Sequence, residues 1–337
     1  MANYLANVNY TIHIIFLKEE GGLIEKLDTK IKRWDVKNGR LYFSVFKIRN
    51  LVKNIDPDII FPWMGYLNAY LAFCKPLFAD KIVWLCREST IPSLMNPNYR
   101  FPKLYSFFYK FYNRYSYIIC QSGYMAKDLE LNFNIKKERL VVINNPVDFE
   151  KVTLSLKAPV VKPVAPENSI NLLYVGSLNK WKRVHLLIEA LILLPENYYL
   201  TIVGNGTEYE NIQAMTIKNN ISGRIRFILD CNNPYPYYAA SNCLLLCSEF
   251  EGFPNVALES MASGCPVIGF NIKGGANEIL ENYGGFIVPG DMVSDFAKSI
   301  LNVCEKQAID KDKIIAFCKE KYDLKKIMGQ YQSIITG

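Results

Sequence analysis

Histidine is almost absent, no long apolar run occurs, and the cysteines show no paired spacing; each lack removes a class of function. Only His13 and His185 occur in 337 residues. One falls in a strand pattern and the other on a helix; both read as structural, and a histidine-dependent mechanism is excluded. No stretch approaches the ~18 consecutive apolar residues of a membrane span, the best candidate, residues 184–194, being interrupted by Glu189. The N-terminus lacks the basic segment, apolar block and small-residue cleavage site of a secretory signal. The nine cysteines are scattered. Cys243 and Cys247, which strand alternation puts on one face, read as core thiols rather than a disulfide or zinc pair. A reducing compartment, the cytosol, is the expectation. Net charge is lacking from the second half: residues 151–337 hold 18 Lys+Arg against 18 Asp+Glu, whereas residues 1–150 hold 21 against 14. A basic face in the first half suits an anionic membrane surface or an anionic lipid-linked substrate, with a plain solvated face as the alternative.

What is present describes a globular α/β protein. Half the residues are apolar, and the length exceeds what one core organises, so two domains are expected. Strand patterns fall at residues 10–17, 58–61, 82–86, 117–120 and 140–143, then at 170–175, 199–203, 225–229, 243–247 and 266–270. Several are continuous apolar runs, as in strands covered on both faces of a parallel sheet. Helical patterns separate them, as at 184–194 and 255–263. The alternation predicts doubly wound domains. A turn at Asn144-Asn145-Pro146-Val147-Asp148, then Pro159, Pro163 and Pro166, sets a seam near 150–168. The expected division is 1–150 and 151–337, with the last helix packing back on the first domain. Open α/β sheets bind ligands at the carboxyl ends of their strands.

Residues 251–259, Glu-Gly-Phe-Pro-Asn-Val-Ala-Leu-Glu, follow such a strand. Pro254 suits the first turn of a helix and Gly264 its far end, so the amides of Asn255 and Val256 and the positive end of the helix dipole point at the crevice. Glu251 and Gly252 lie just outside the helix, and Phe253 leads into it. Glu251 suits sugar hydroxyls, and Glu259, farther along, a ribose diol. Gly176-Ser177 through Lys182-Arg183 bring cations to a phosphate-sized gap, and Gly204 and Gly206 permit close backbone approach. Gly274, Gly275 and Glu278 follow a further strand end, and Asp230 at another is placed near the base. Tyr209 stands where a dinucleotide fingerprint has its third glycine, so hydride chemistry has no support.

Taken together these stretches resemble the retaining glycosyltransferases of family 4, with their group 1 domain and GT-B fold: two Rossmann-like doubly wound domains facing each other. The likeness rests on Tyr174–Lys182, on residues 202–206 and 237–242, on the two-glutamate segment, on 264–268 and 274–279, and on Asn145-Pro146-Val147-Asp148. It implies that Glu251 holds the donor sugar, Glu259 the ribose and Lys182 the diphosphate, with Glu251 and Lys182 catalytic. It further implies a nucleoside diphosphate sugar, UDP-linked in preference to GDP-linked, as substrate. The acceptor is a glycan or lipid-linked intermediate; no metal, no cofactor and no nucleic acid are implied.

The departures are specific. Ser177 fills the position of the family's loop arginine, for which Arg183 is the candidate replacement. In the first domain Arg87 and Glu88 are the acceptor-side candidates, with Glu88 in a slot where the family often has histidine. The chain begins inside what would be the family's first helix, so the N-terminal domain is expected to be incomplete, without one central strand and its glycine loop. Residues 100–115 interleave Lys103, Lys110 and Arg114 with eight aromatics and read as a helix for the headgroup region or as a packing helix with snorkelling cations, giving a peripheral cytoplasmic-face enzyme in the first case. Asp56-Pro-Asp58 imitates a metal-binding pair but leads into a strand. A non-catalytic sugar-nucleotide-binding remnant and a GT-B-fold epimerase are the alternatives.

Overall fold

A computed structural model of the chain describes residues 1–22, 24–37, 41–95, 102–157, 166, 168–306 and 309–336. Pro159 and Pro163 of the seam, and Arg100 and Phe101 of the basic-aromatic stretch, lie outside the described residues. The chain divides into two compact units, Met1–Ile143 with Met328–Gly337, and Asn144–Ile327. No helix among the described residues is long and apolar enough to cross a membrane.

In the first unit the strands are β1 (His13–Phe16), β2 (Lys32–Asp35), β3 (Ile59–Ile60), β4 (Val83–Arg87), β5 (Tyr117–Cys120) and β6 (Leu140–Val142). β3-β4-β5-β6 form a parallel sheet, and β1 pairs in parallel with β2 alone. The helix Leu41–Ile55 lies between β2 and β3; the crossovers that parallel neighbours need are supplied from β3 to β6 by the helices Gly65–Cys74, Pro102–Tyr109 and Gly123–Phe133. The last of these is capped at both ends: the Ser122 side chain accepts from the Met125 amide, and Asn134 closes it in the left-handed conformation. Trp84, Cys86, Ile118 and Cys120 from β4 and β5 are buried with Tyr109, Tyr112 and Tyr115. β2, Lys-Arg-Trp-Asp, escaped the sequence reading because its charged, mostly exposed residues carry no apolar pattern. Among the described residues strand pairing is discontinuous between β1 and β3.

The second unit contains β7 (Ile170–Val175), β8 (Tyr198–Val203), β9 (Ile225–Ile228), β10 (Cys243–Leu246), β11 (Phe250–Glu251), β12 (Val267–Gly269), β13 (Lys273–Gly274) and β14 (Gly285–Ile287). Six of them make a parallel sheet in the order β14-β12-β10-β7-β8-β9. The order reverses at β7, the first strand, so the loops leaving β7 and β10 diverge there and open a crevice at the strands' carboxyl ends. β10, Cys-Leu-Leu-Leu, is buried throughout, and the helix His185–Leu193 buries Leu187, Ile188, Ala190 and Leu191. That two-sided covering explains why these strands read as unbroken apolar runs. β11, β13 and β14 were not anticipated; two or three residues are too few to show a period.

The loops leaving β7 and β8 are zipped together. Gly176 donates its amide to the Val203 carbonyl (2.9 Å), Leu178 to Asn205 (2.9 Å), and Glu208 to Leu178 (2.8 Å). Gly204 lies at φ +137°, and a Cβ there would sit 1.9 Å from the Gly176 carbonyl oxygen. The close approach inferred for Gly204 is therefore an approach of protein backbone to protein backbone. Gly204→Ala is expected to cost about 2–4 kcal/mol in urea unfolding, since both strain and overlap oppose it. Gly223→Ala, where a Cβ meets nothing within 4 Å, should change stability by less than about 1 kcal/mol.

Candidate active site

The loop from β7 turns through Lys180–Lys182, and Arg183 then takes the left-handed conformation at φ +50°. For a side-chain-bearing residue this conformation is unfavourable. It sends two adjacent cations to different targets. The Lys182 ammonium donates to Glu251 Oε1 at 2.5 Å, with the side chains only 20% and 14% exposed. The Ser248 hydroxyl donates to the same oxygen (2.7 Å). Arg183 donates from Nε to the Cys247 carbonyl (2.8 Å) and from Nη2 to that of Ser248 (3.0 Å), with its guanidinium 5.7 Å from the Phe270 ring centroid. Those atoms hold the loop after β10 in place, so the structure gives Arg183 a scaffolding task rather than that of the missing loop arginine. Ser177 is exposed, its hydroxyl accepting from Asn179 Nδ2 (3.0 Å).

Glu251 ends β11, which pairs with β13 so that Glu251 lies opposite Gly274. The Gly275 amide donates to the carbonyls of Glu251 (2.9 Å) and Gly252 (3.1 Å). Phe253 and Pro254 are buried, and the helix Asn255–Ala262 starts directly after them. Pro254 stands one position earlier than expected, as the cap residue, and supplies no side-chain cap. The opening amides at Asn255 and Val256 thus have no side chain capping them, and the helix dipole reinforces their preference for an anion. Asn145 fixes this turn: its Nδ2 donates to the Phe253 carbonyl (3.1 Å) and to Asn255 Oδ1 (2.6 Å). Glu259, farther along the helix, accepts from the Tyr238 hydroxyl at Oε2 (3.2 Å). Burial raises its carboxyl above the usual range, with the Tyr238 hydrogen bond and the Lys151 charge pulling the other way.

The structure thus joins Lys182 to Glu251, sets Gly252, Phe253, Pro254, Asn255 and Val256 in one turn beyond them, and puts Glu259 on the same helix. Gly176 belongs to the adjoining loop, whereas Gly204 is a packing residue behind it. Asp230 is exposed just past β9. Sequence reasoning missed Ser248, Tyr238 and the anchoring role of Asn145. The last was signalled by its turn motif, but the other two are ordinary residues in β10's loop and in the helix Tyr235–Ala239.

Of the two acceptor-side candidates, one is corrected. Glu88 is fully buried inside the first unit, where the Tyr112 hydroxyl and Asn68 Nδ2 (3.3 Å) contact its Oε1, and Oε2 has no hydrogen-bond partner. A carboxylate enclosed in this way does not meet an acceptor. Its pKa rises to about 7, burial outweighing the hydrogen bonds that the carboxyl accepts. Arg87, at the end of β4, donates from Nε to the Tyr331 hydroxyl (2.9 Å) and lies 5.8 Å from the Trp63 ring centroid. The basic-aromatic stretch is an α-helix over Pro102–Tyr109 and a short 3-10 helix over Tyr112–Arg114, and Phe108, Tyr109, Tyr112 and Tyr115 are core residues. His13 stacks on Trp34 and accepts from its Nε1 (3.1 Å), and His185 is an exposed first residue of a helix.

Residues 1–151 match the family model for Glycosyltransferase Family 4, and residues 160–320 that for Glycosyl transferases group 1. The N-acetylgalactosamine-N,N'-diacetylbacillosaminyl-diphospho-undecaprenol 4-alpha-N-acetylgalactosaminyltransferase of Campylobacter jejuni is 28% identical over 275 residues, 81% of this chain and 74% of that protein. The lipopolysaccharide core biosynthesis glycosyltransferase LpsE of Rhizobium meliloti is 28% identical over 261 residues, 75% of this chain and 67% of its own. Anabaena HepE, solved in complex with UDP and glucose, superposes with a TM-score of 0.81 over 99% of this chain and 94% of its own, at 18% identity. The two units of parallel sheet have the GT-B fold, and the family models and named relatives make the protein a glycosyltransferase. Within that class the chain belongs to the family 4 type, with a group 1 domain as its second unit.

Glu88 makes stability depend on pH. Its folded value of about 7 exceeds the ordinary 4.5, so the folded state holds a proton that the unfolded chain releases. The stabilisation is complete below the ordinary value and is lost as pH rises toward 7, by roughly 3 kcal/mol in all. Glu88→Gln lacks this titration. Urea unfolding from pH 4.5 to 7.5 should show the variant gaining on the native chain by about that amount; a constant difference would mean that Glu88 is ionised in the fold.

Proposed function

We propose that the protein transfers a sugar, with retention at the anomeric carbon, from a nucleoside diphosphate sugar to a hydroxyl of a lipid-linked oligosaccharide or surface-polysaccharide intermediate. It does so peripherally, on the cytoplasmic face of an anionic membrane. The observation that carries this reading is the Lys182–Glu251 pair, steadied by Ser248, beside a helix start with no side-chain cap. A carboxylate with one oxygen occupied by Lys182 and Ser248 keeps acceptor capacity for donor-sugar hydroxyls. Glu259, farther along the same helix, takes the ribose diol.

Lys182 spends one of its three N–H donors on Glu251, leaving others for the departing diphosphate. The Asn255 and Val256 amides, fixed by Asn145, meet the same developing negative charge. Because Glu251 is already committed to hydrogen bonding and charge balance, it serves to orient the sugar, and a front-face displacement accounts for retention. The uridine nucleotide bound by HepE supports a UDP-sugar before a GDP-sugar, and the undecaprenol-linked substrate in the name of the Campylobacter relative supports a lipid-linked acceptor.

The test is nucleotide release from UDP- and GDP-sugars with lipid-linked and short soluble glycan acceptors. Glu251→Ala and Lys182→Ala should each lower kcat/KM by about a hundredfold or more, the loss typical of a group that stabilises transition-state charge. Two variants as active as the native protein would remove the proposal.

A further inference from the structure

Three helical segments of the first unit share a composition that the donor chemistry does not use. They are Leu41–Ile55, Gly65–Cys74 with its continuation Lys75–Leu77, and Pro102–Tyr109 with Tyr112–Arg114. Spans 41–55, 65–77 and 102–114 contain Lys47, Arg49, Lys53, Lys75, Lys103, Lys110 and Arg114, and no aspartate or glutamate. Asp56, just past the first, is paired with Lys81 at 2.7 Å.

Large apolar side chains stand in water on the same segments: Phe43 (67% exposed), Phe46 (66%), Phe73 (42%), Leu77 (41%), Leu104 (40%) and Phe107 (43%). They are linked by contacts. Phe43 and Phe46 are three apart on one helix face, and Arg49, one turn on, donates from Nε to the Leu77 carbonyl (2.7 Å). Phe73 precedes Leu77 by one turn; its ring lies 6.3 Å from that of Phe107 and 5.1 Å from that of Phe111. Leu104 precedes Phe107 by one turn. Lys110 stands over the Phe107 ring at 5.8 Å and Arg114 over the Phe111 ring at 4.5 Å. The result is a run of exposed apolar side chains interleaved with cations.

We propose that this face docks on an anionic lipid surface, the two phenylalanines of the first helix entering the headgroup–acyl boundary and the cations meeting lipid phosphates. The proposal rests on the reading of a membrane-held acceptor and deepens it by naming the surface. It differs from what the sequence suggested: Phe108, Tyr109, Tyr112 and Tyr115 of the 100–115 stretch are core, and among the described residues of these segments the helix Leu41–Ile55 carries the most exposed rings. Charge selects the occupant. A second copy would set seven cations against seven, whereas an anionic bilayer satisfies them together with the exposed rings.

The test is co-sedimentation of the full chain with vesicles of phosphatidylcholine alone or mixed with phosphatidylglycerol. Binding is expected to the mixed vesicles only, and to weaken as salt shortens the screening length. Phe43→Ser with Phe46→Ser should lower the partition coefficient about tenfold by removing the inserted apolar area, leaving the melting temperature and donor turnover with a short soluble acceptor unchanged. Lys47→Ala with Lys53→Ala should flatten the salt dependence. The proposal is overturned if the native protein ignores both vesicle types, if the Phe43/Phe46 variant binds equally, or if sedimentation shows a dimer that this variant dissociates. A chain that binds anionic vesicles but turns over no sugar nucleotide leaves the docking surface standing and removes the sugar transfer proposed above; one that turns over donor but ignores vesicles removes the docking surface and the membrane location, and leaves the sugar transfer standing.

Discussion

An ammonium 2.5 Å from a carboxylate, both largely withdrawn from water, ties together two chain segments that leave different strands. Such a pair gains strength from the low local dielectric but pays desolvation for both ions, and it persists only where surrounding groups complete it. Here Ser248 shares the acceptor oxygen, and Arg183 clamps the carbonyls of Cys247 and Ser248. Arg183 reaches them through a left-handed backbone, which costs roughly 1–2 kcal/mol in an L-residue. Two hydrogen bonds and a ring contact offset that strain. Everything proposed for the donor side follows from this joint, because it fixes a charge and an acceptor beside free helix amides before any ligand arrives.

The joint in turn depends on strand order. β7 is central with β10 and β8 as its neighbours, so the Lys182 loop and the Glu251 loop leave adjacent strands at the same edge. The zipper between Gly176–Leu178 and Val203–Glu208 holds the first of them rigidly from the other side. Asn145 closes the arrangement, tying the start of the second unit to the turn before Asn255. Rigid loops on a parallel sheet provide the preorganisation that charge stabilisation needs.

The first unit solves a different problem. Its centre encloses an acid, Glu88, among tyrosines and an asparagine, and its periphery carries cations beside exposed rings. Burial selects the neutral form of the one, and solvent access allows the others to stay charged.

The sequence by itself determined the fold class and most of the sheet. Strands covered on both faces must be apolar throughout, and β5 (Tyr117–Cys120) and β7 (Ile170–Val175) were legible to the residue for that reason. It also brought out Lys182, Glu251 and the helix that follows, since a proline, a glycine and two spaced acids are local signals. It did not reveal β2, whose residues are mostly exposed, or β11 and β13, which are two residues long. Partner choice was decided only in three dimensions. Arg183 and Lys182 are adjacent cations, and nothing local says that one binds carbonyls and the other Glu251. Glu88 and Arg87 are adjacent polar residues, yet the side alternation of an extended chain sends one into the core. Gly204 resembles a phosphate-loop glycine until the Gly176 carbonyl is seen beside it. Local pattern records which face is covered, whereas contacts between residues far apart in sequence exist only after the chain has folded.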